Sequence, residues 1–490
     1  MPWLTKSRFM AGRQCAKRLW FEVHQPLPEP LPDSMPFTHG RDVDRVVQHL
    51  HPGIVIERSP GMPEAIARTS QVLARGAATV LYQPAFRHGD LAVIADVLRR
   101  RAHSRFELVE IKASTEVKPE HIPDAGFQAL VLRRAGVPVE HVLLGHVNRE
   151  FVLATAGDYA GLINEQDITR PVEAMLSEIA RLADELRQVM AEQAAPPVPM
   201  GRHCSDPYDC PFIARCAGAT GTAPAYGLDC LPRGGNLVER LRAEGFRELS
   251  EVPGDRLTTP LHRRVHAATV TGEAYFDAAA AQSLRRLPYP RAYLDFETIA
   301  FAVPQIIGTR PYQQLPFQWS LHVETRAGEA QHFEYLAIEE FGDFTAMAVA
   351  LLAALPADGP VFAYNSSFER QALAWLAARI PEHAAALRAC AERLVDLLPI
   401  TRDAYYHRDM RGSWSIKAVI PTIDASLQYG ELEEVRQGDG AQLAFLELRE
   451  SGISAERRAA LSQALRVYCR QDTWSLVVLR RFLCGESTRA

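Results

Sequence analysis

No run of about eighteen apolar residues occurs in the 490-residue sequence, which excludes a membrane-spanning helix from it. Net charge is also small. The 54 basic side chains stand against 59 acidic ones, leaving −5 at pH 7. A bulk-basic nucleic-acid binder is therefore not indicated, and only local basic patches are left to that role. Lysine is nearly missing: Lys6, Lys17, Lys112, Lys118 and Lys417 are the whole complement, and arginine carries the rest of the positive charge. In such a chain each retained lysine marks a position to inspect. There is no internal repeat and no low-complexity tract. The first residues, MPWLTKSRFMAGRQCAKRLWFE, carry basic side chains with no continuous apolar core behind them, which predicts no signal peptide and a cytoplasmic protein.

What is present is an ordinary globular composition, 47% hydrophobic and 23% charged. The length exceeds what one core holds, so roughly two or three domains are expected. Eight cysteines occur. In a reducing cytoplasm they are not expected to form structural disulfides.

The pattern divides the chain into three. In residues 1–220, strands are expected over 91–98 and 106–112. Residues 172–192 read as an amphipathic helix with Met175, Leu176, Ile179, Leu182, Leu186 and Met190 on one face, stopped by Ala194-Ala195-Pro196-Pro197-Val198-Pro199. Residues 221–287 look helical and small: Leu231-Pro232-Arg233-Gly234-Gly235 precedes a helix over 236–244, and Gly245-Phe246 follows it. This reads as a helical spacer, and its rhythm resembles helix–hairpin–helix modules. Residues 288–490 open on a strand through Asp295. Further strands are expected over 317–323, 331–336 and 360–364, and a helix from Ser367. Strands first and helices around them predict an α/β sheet domain.

Asp295 and Glu297 stand two apart in that first strand, so both carboxylates point to one face. Paired acids on one face repel unless they share a hard cation such as Mg²⁺ or Mn²⁺. Asn365-Ser366-Ser367-Phe368-Glu369 places an acid just inside the following helix, and Tyr468 and Asp472 share a helix face through their four-residue spacing. This order resembles the DnaQ-like DEDD exonucleases of the RNase H-like fold, with Tyr468 marking the tyrosine subclass. The resemblance implies that Asp295, Glu297, Glu369 and Asp472 hold two metals and that Tyr468 orients the attacking water. Glu369 stands where that family usually has Asp. Asp396 reads as structural. Trp414 and Lys417, in Gly412-Ser413-Trp414-Ser415-Ile416-Lys417, read with Asn365 as substrate contacts, or as a buried Trp with a snorkelling Lys.

In the first region Asp96 lies among Val93, Ile94, Val97 and Leu98, and Glu110 and Lys112 lie in Leu108-Val109-Glu110-Ile111-Lys112. The two segments read as a hairpin across the arginine-rich turn 99–105. Asp followed by ExK resembles the PD-(D/E)XK nuclease core, in which Asp96 and Glu110 would hold a divalent metal and Lys112 would position water. Gln128 matches the glutamine helix of the RecB-like branch. Gly40-Arg41-Asp42-Val43-Asp44 resembles its first motif, with either Asp44 or His39 as the ligand. Cys204, Cys210 and Cys216, each pair separated by five residues, together with the distant Cys15 resemble the iron–sulfur nucleases of the CRISPR-associated and AddB kind. That likeness implies a [4Fe–4S] cluster on four thiolates, with Zn²⁺ as the rival, against which the spacing counts.

The whole chain resembles an uncharacterised bacterial family that fuses these modules: a PD-(D/E)XK restriction-endonuclease-like domain over 1–220, a small helical linker domain over 221–287 and an RNase H-like DEDD exonuclease domain over 288–490. What this implies is a metal-dependent nuclease with 3′–5′ exonuclease activity in its C-terminal part and a second site in its N-terminal part. Its partner would be nucleic acid, single-stranded or end-containing DNA ahead of RNA, with no membrane involved. Two other readings stay open: a nucleic-acid-binding protein with degenerate sites, and a CRISPR-adaptation-type accessory nuclease.

Overall fold

A computed structural model describes residues 2–28, 34–76, 79–219, 224–326, 328–339, 341–431 and 438–488. It is a mixed α/β protein. The chain divides into two compact units, Met1–Thr222 with Ala300–Gln313, and Ala223–Ile299 with Gln314–Ala490. Residues 224–287, expected as a separate spacer, thus belong to the second unit, and a stretch of the third expected region belongs to the first. No helix among the described residues is long and apolar enough to cross a membrane.

The first unit is built on a six-stranded sheet in the order Ile54–Val55, Val80–Tyr82, Val97–Arg100, Phe106–Lys112, Val139–Val147 and Ile163–Asp167. Phe106–Lys112 is interior to it and pairs antiparallel with Val97–Arg100 and parallel with Val139–Val147. Phe106 through Ile111 are all buried, as expected of a strand covered on both faces. The expected strand over 91–98 is broken. Leu91–Ile94 joins a different, three-stranded sheet with Leu4–Thr5 and Ala85–His88, and Asp96 sits in the bend before Val97–Arg100. The cause is local. The Asp96 carboxylate accepts the Ile111 N–H at 2.9 Å, and its own carbonyl accepts the Gln83 N–H at 2.9 Å, so the chain turns where the ladder would have continued.

Two helices cover this sheet, His121–Arg134 and Thr169–Ala191. They approach closely at Gly126, where a Cβ would meet Ile179 Cδ1 at 2.4 Å and that side chain would have to shift. Phe9 stacks on Phe127 with centroids 4.4 Å apart. The segment 300–313 completes a satellite core: Ala302 and Val303 bury with Val43, Val97, Val109 and Leu162. It is tied by the Tyr312 hydroxyl, which donates to Ala113 O, and by His39, whose Nε2 lies 2.9 Å from Ala300 O.

The second unit holds a five-stranded sheet in the order Glu329–Leu336, Leu315–Arg326, Arg291–Ile299, Val361–Ala363 and Leu394–Asp396. Arg291–Ile299 is the central strand, antiparallel to Leu315–Arg326 and parallel to Val361–Ala363. The 30-residue helix Ala455–Cys484 packs along it, burying Leu461, Leu465, Tyr468, Cys469, Asp472, Leu476, Leu479 and Leu483 at helical spacing. Residues 224–287 share this unit's core. Leu228, Val238, Leu241, Leu257 and Val265 cluster with Tyr293, Phe362, Leu397, Tyr405 and Leu476.

Candidate functional site

In the second unit Asp295 and Glu297 alternate with the buried Leu294 and Phe296 on the central strand, beside a register shift between Glu297 and Thr298. Asp472 comes from the long helix. Ligand oxygens of Asp295, Glu297 and Asp472 all lie within 4.8 Å of one another. Glu369, 2% exposed in the first turn of Ser367–Arg379, adds to the repulsion on Asp295 and Glu297. Its Oε2 has no hydrogen-bonding partner among the described residues.

Burial and crowding push these acids up. Burial first, then Asp472, Glu297 and Glu369, hold Asp295 well above the usual carboxylate range. Burial and Asp472 raise Glu297 to about 8. Glu369 rises to about 8, chiefly by burial. Asp472 rises only to about 6, because Tyr429 and Lys417 offset part of its burial. Three carboxylates this close, with the orphaned Glu369 oxygen adding to their field, form a donor set that a hard divalent cation would satisfy. The residues therefore fit the metal that the sequence pattern implies.

The surrounding side chains are fixed. The Lys417 ammonium donates to the Tyr468 hydroxyl oxygen at 2.7 Å and lies 4.6 Å from that ring's centre. The Tyr429 hydroxyl donates to Asp472 Oδ1 at 2.6 Å. Burial, Asp472, Glu297 and Asp295 raise the Tyr468 hydroxyl far above the ordinary phenol range, so it stays protonated. Asp396 accepts the N–H groups of Asn365, Ser366 and Leu398 at 2.9, 3.0 and 2.9 Å. It is a structural cap, and it holds Asn365 at φ +65°. Trp414 is 6% exposed and its indole N–H donates to Tyr405 O at 2.9 Å, which is the buried alternative. Asn365 is exposed.

In the first unit Glu110 is fully buried and bonded on both oxygens. Lys112 and Lys6 donate to Oε1 at 2.6 and 2.8 Å, and Gln128 to Oε2 at 2.5 Å. Lys112 also donates to Asp124 at 2.5 Å. Asp124 and Gln128 share one face of His121–Arg134 through their spacing. Burial pushes Glu110 up, and Lys112 and Lys6 overcome it, leaving the carboxyl well below its usual range. Burial and Glu110 raise Asp96 to about 7. Asp44 is raised by burial and next by Glu110, which sets it in the field of this centre. His39 instead meets Ala300 and the edge of the Tyr312 ring, 5.2 Å between centroids. Gln128 Oε1 is buried with no partner among the described residues. Four acids against two lysines suit a cation in charge, but both Glu110 oxygens are already engaged.

Cys15, Cys204, Cys210 and Cys216 line one cavity with Phe21, Phe212, Met200 and His203, and none of the four is in a disulfide. Cys15 sits at the junction of Lys6–Gln14 and Ala16–His24. The next residue inward, Gln14, donates to His203 O and Tyr208 O at 2.7 and 2.6 Å, which joins the early and late cysteines. Burial raises the thiols of Cys210 and Cys216, and Cys15 and Cys204 add to it. Four thiols around one apolar-walled cavity are a donor set for a soft metal or an iron–sulfur cluster.

Four neighbours of these centres were not singled out by sequence pattern. Lys6 and Asp124 complete the Glu110 centre. Tyr429 holds Asp472, and Cys469 Sγ lies 3.9 Å from Asp295 Oδ2. The scarcity of lysine was the signal for Lys6. Asp124 could have been found from its four-residue spacing to Gln128. Tyr429 carries no such mark.

Residues 292–415 match a family described as "Domain of unknown function (DUF2779)". "Uncharacterized protein MG366 homolog" of Mycoplasma pneumoniae is 28% identical over 219 residues, 41% of this chain and 33% of that protein. "Uncharacterized protein MG366" of Mycoplasma genitalium is 25% identical over 218 residues, 40% and 32% of the two chains. The chain thus spans about a third of the length of these curated relatives. The crystal structure of SSO0001 aligns at a TM-score of 0.19 and 14% identity, covering 39% of this chain and 77% of that one.

Proposed function

We propose that the protein is a metal-dependent nuclease whose second unit is an RNase H-like DEDD exonuclease working in the 3′–5′ direction. The observation that carries this is the convergence of Asp295, Glu297 and Asp472 within 4.8 Å, with the orphaned Glu369 oxygen and the protonated Tyr468 beside them. Asp295, Glu297, Glu369 and Asp472 would hold Mg²⁺ or Mn²⁺, and such ions supply Lewis acidity and a water of lowered pKa. In the hydrolysis, water oxygen bonds to phosphorus, the bond from phosphorus to the 3′ oxygen breaks, and a proton goes to the departing oxygen. Tyr468 stays a hydrogen-bonding phenol near neutral pH and orients the attacking water. Lys417 holds that hydroxyl from its other side and brings positive charge to the place where the phosphorane becomes more negative. Tyr429 fixes the rotamer of Asp472.

The first unit would carry a second, PD-(D/E)XK-type centre built on Asp96, Glu110, Lys112, Gln128 and Asp44, and its four cysteines would hold a [4Fe–4S] cluster in preference to Zn²⁺. A binding module is the second reading for this unit. It is favoured by Lys6, whose ammonium shares Glu110 Oε1 with Lys112. The deciding experiment is digestion of end-labelled single-stranded DNA, duplex DNA and RNA, and of circular DNA, with Mg²⁺ or Mn²⁺. Asp295→Asn should stop the ladder from 3′ ends, and Glu110→Gln should stop cutting of circles. A ladder retained by Asp295→Asn rejects the exonuclease assignment. Circles left whole by Asp295→Asn protein, with linear DNA also untouched, make the first unit a binding module.

A further inference from the structure

We propose that the second unit carries an anion seat separate from its acid centre, in which Arg233 and Arg402 hold a backbone phosphate of a single nucleic-acid strand. This rests on the exonuclease reading for what the strand is doing there, and it names residues that the reading does not use.

The seat is an open cavity of about 560 Å³ lined by Arg233, Arg402, Asn365, Trp414, Tyr364 and Ser415, with Leu261, Leu398 and Ile416 among its apolar walls. That is the size of an ordinary small-ligand pocket. No Asp or Glu lines it, although acids outnumber bases in the chain as a whole. Arg233 is exposed and Arg402 half-buried, and neither makes an ion pair among the described residues. The nearby acid, Asp396, is committed to three backbone N–H groups. Two guanidinium groups without carboxylate partners on one concave surface suit a doubly coordinated phosphate oxygen pair. Tyr364 and Ile416, both half-buried beside them, offer part of the apolar surface that a base or sugar needs.

Two chain segments join the cavity to the acid centre. Asn365 lines the cavity, and Glu369, four residues on, is one of the acids. Ile416 lines the cavity, and Lys417, the next residue, donates to Tyr468. On this proposal a strand whose end lies at Asp295 passes its following phosphates along these two segments to the arginine pair. One of the arginines comes from residues 224–287, so the stretch that reads as a spacer contributes part of the binding wall.

The test is binding of the full-length protein to 5′-fluorescein-labelled oligo-dT and oligo-U in EDTA, followed by fluorescence anisotropy across a salt series. In EDTA no hydrolysis contributes, so the result does not depend on the nuclease reading. The Arg233→Ala/Arg402→Ala protein should bind at least one of the two strands about tenfold more weakly. Its slope of log affinity against log salt should be shallower by roughly 0.7 for each phosphate no longer neutralised. Arg233→Glu, a change at an exposed position that spares the fold, should weaken binding further than Arg233→Ala, and Arg402→Lys should recover part of the slope. In hydrolysis with Mn²⁺ the loss should fall on KM more than on kcat. Unchanged affinity and salt slope in the double variant and in Arg233→Glu would overturn the proposal, as would a wild-type protein that binds neither strand. Weakened binding in the variants of a protein that hydrolyses nothing would leave the seat standing and remove the exonuclease reading instead.

Discussion

Lys6 and Glu110 are 104 residues apart in the chain, and the ammonium of one donates to the carboxylate of the other at 2.8 Å. Lys112, two residues from Glu110, donates to the same oxygen. A fully buried carboxylate is thereby held ionised by two cations, against the burial that favours its protonation. Replacing Lys6 by Met removes one of them. The expected loss is about 2 kcal/mol in the stability of the first unit, the size of a charged hydrogen bond withdrawn from a buried partner. Urea denaturation followed by tryptophan fluorescence measures it. A change below about 0.5 kcal/mol would mean that Lys6 behaves as an exposed surface charge.

The acid centre of the second unit predicts a mutation that stabilises and inactivates at once. Asp295 is crowded by Asp472, Glu297 and Glu369, so Asp295→Asn relieves repulsion in the metal-free protein while removing a ligand. Thermal melting in EDTA should rise by a few degrees, and Mn²⁺-dependent hydrolysis should fall by at least about a hundredfold. A lower melting temperature would show that Asp295 stabilises the fold without metal.

His322 is 3% exposed and hydrogen-bonded to Thr473 at 2.8 Å. Burial, with His332 and Arg470 nearby, lowers its pKa from 6.5 to about 3. Between those values the unfolded chain binds a proton that the folded chain does not. The stabilisation is therefore complete above pH 6.5 and is lost as pH falls toward 3. At pH 5 about 2 kcal/mol should be gone. His322→Asn should flatten the dependence of the urea midpoint on pH between 7 and 5, and an equally steep curve in that variant would refute the assignment.

Anaerobically purified protein should be brown and contain iron. Cys216→Ser should lose both the colour and part of the first unit's thermal stability, since a bound cluster contributes folding free energy. Metal analysis giving stoichiometric zinc without iron would replace the cluster with a zinc site.

Where one local rule decided the structure, the sequence was readable. The run Phe106–Lys112 is apolar enough to be an interior strand, and it is one. Residues 172–192 carry a helical stripe, and Ile179, Leu186 and Met190 are buried on it. The strand over 91–98 failed because pattern does not report that a single carboxylate, Asp96, takes a ladder donor at Ile111. Residues 224–287 read as a spacer because each of their elements is short, and only tertiary packing reveals that Leu241 and Val265 bury with Tyr293. The acids at 295, 297, 369 and 472 were visible through their spacing on a strand and two helices. Tyr429 was not, because a lone tyrosine in a loop has no period to betray it.

The allocation of Ala300–Gln313 to the first unit has a consequence for synthesis and for dissection. Translation delivers the first 222 residues long before residue 313, so the nascent first unit lacks the Ala302 and Val303 side chains that its satellite core needs. By the time they emerge, the central strand Arg291–Ile299 of the other unit is already out. The two halves thus cannot be completed in strict succession, as tandem domains can be. No single cut in the chain yields two whole halves, and a truncation placed anywhere near residue 290 strips one unit of a piece of its own interior.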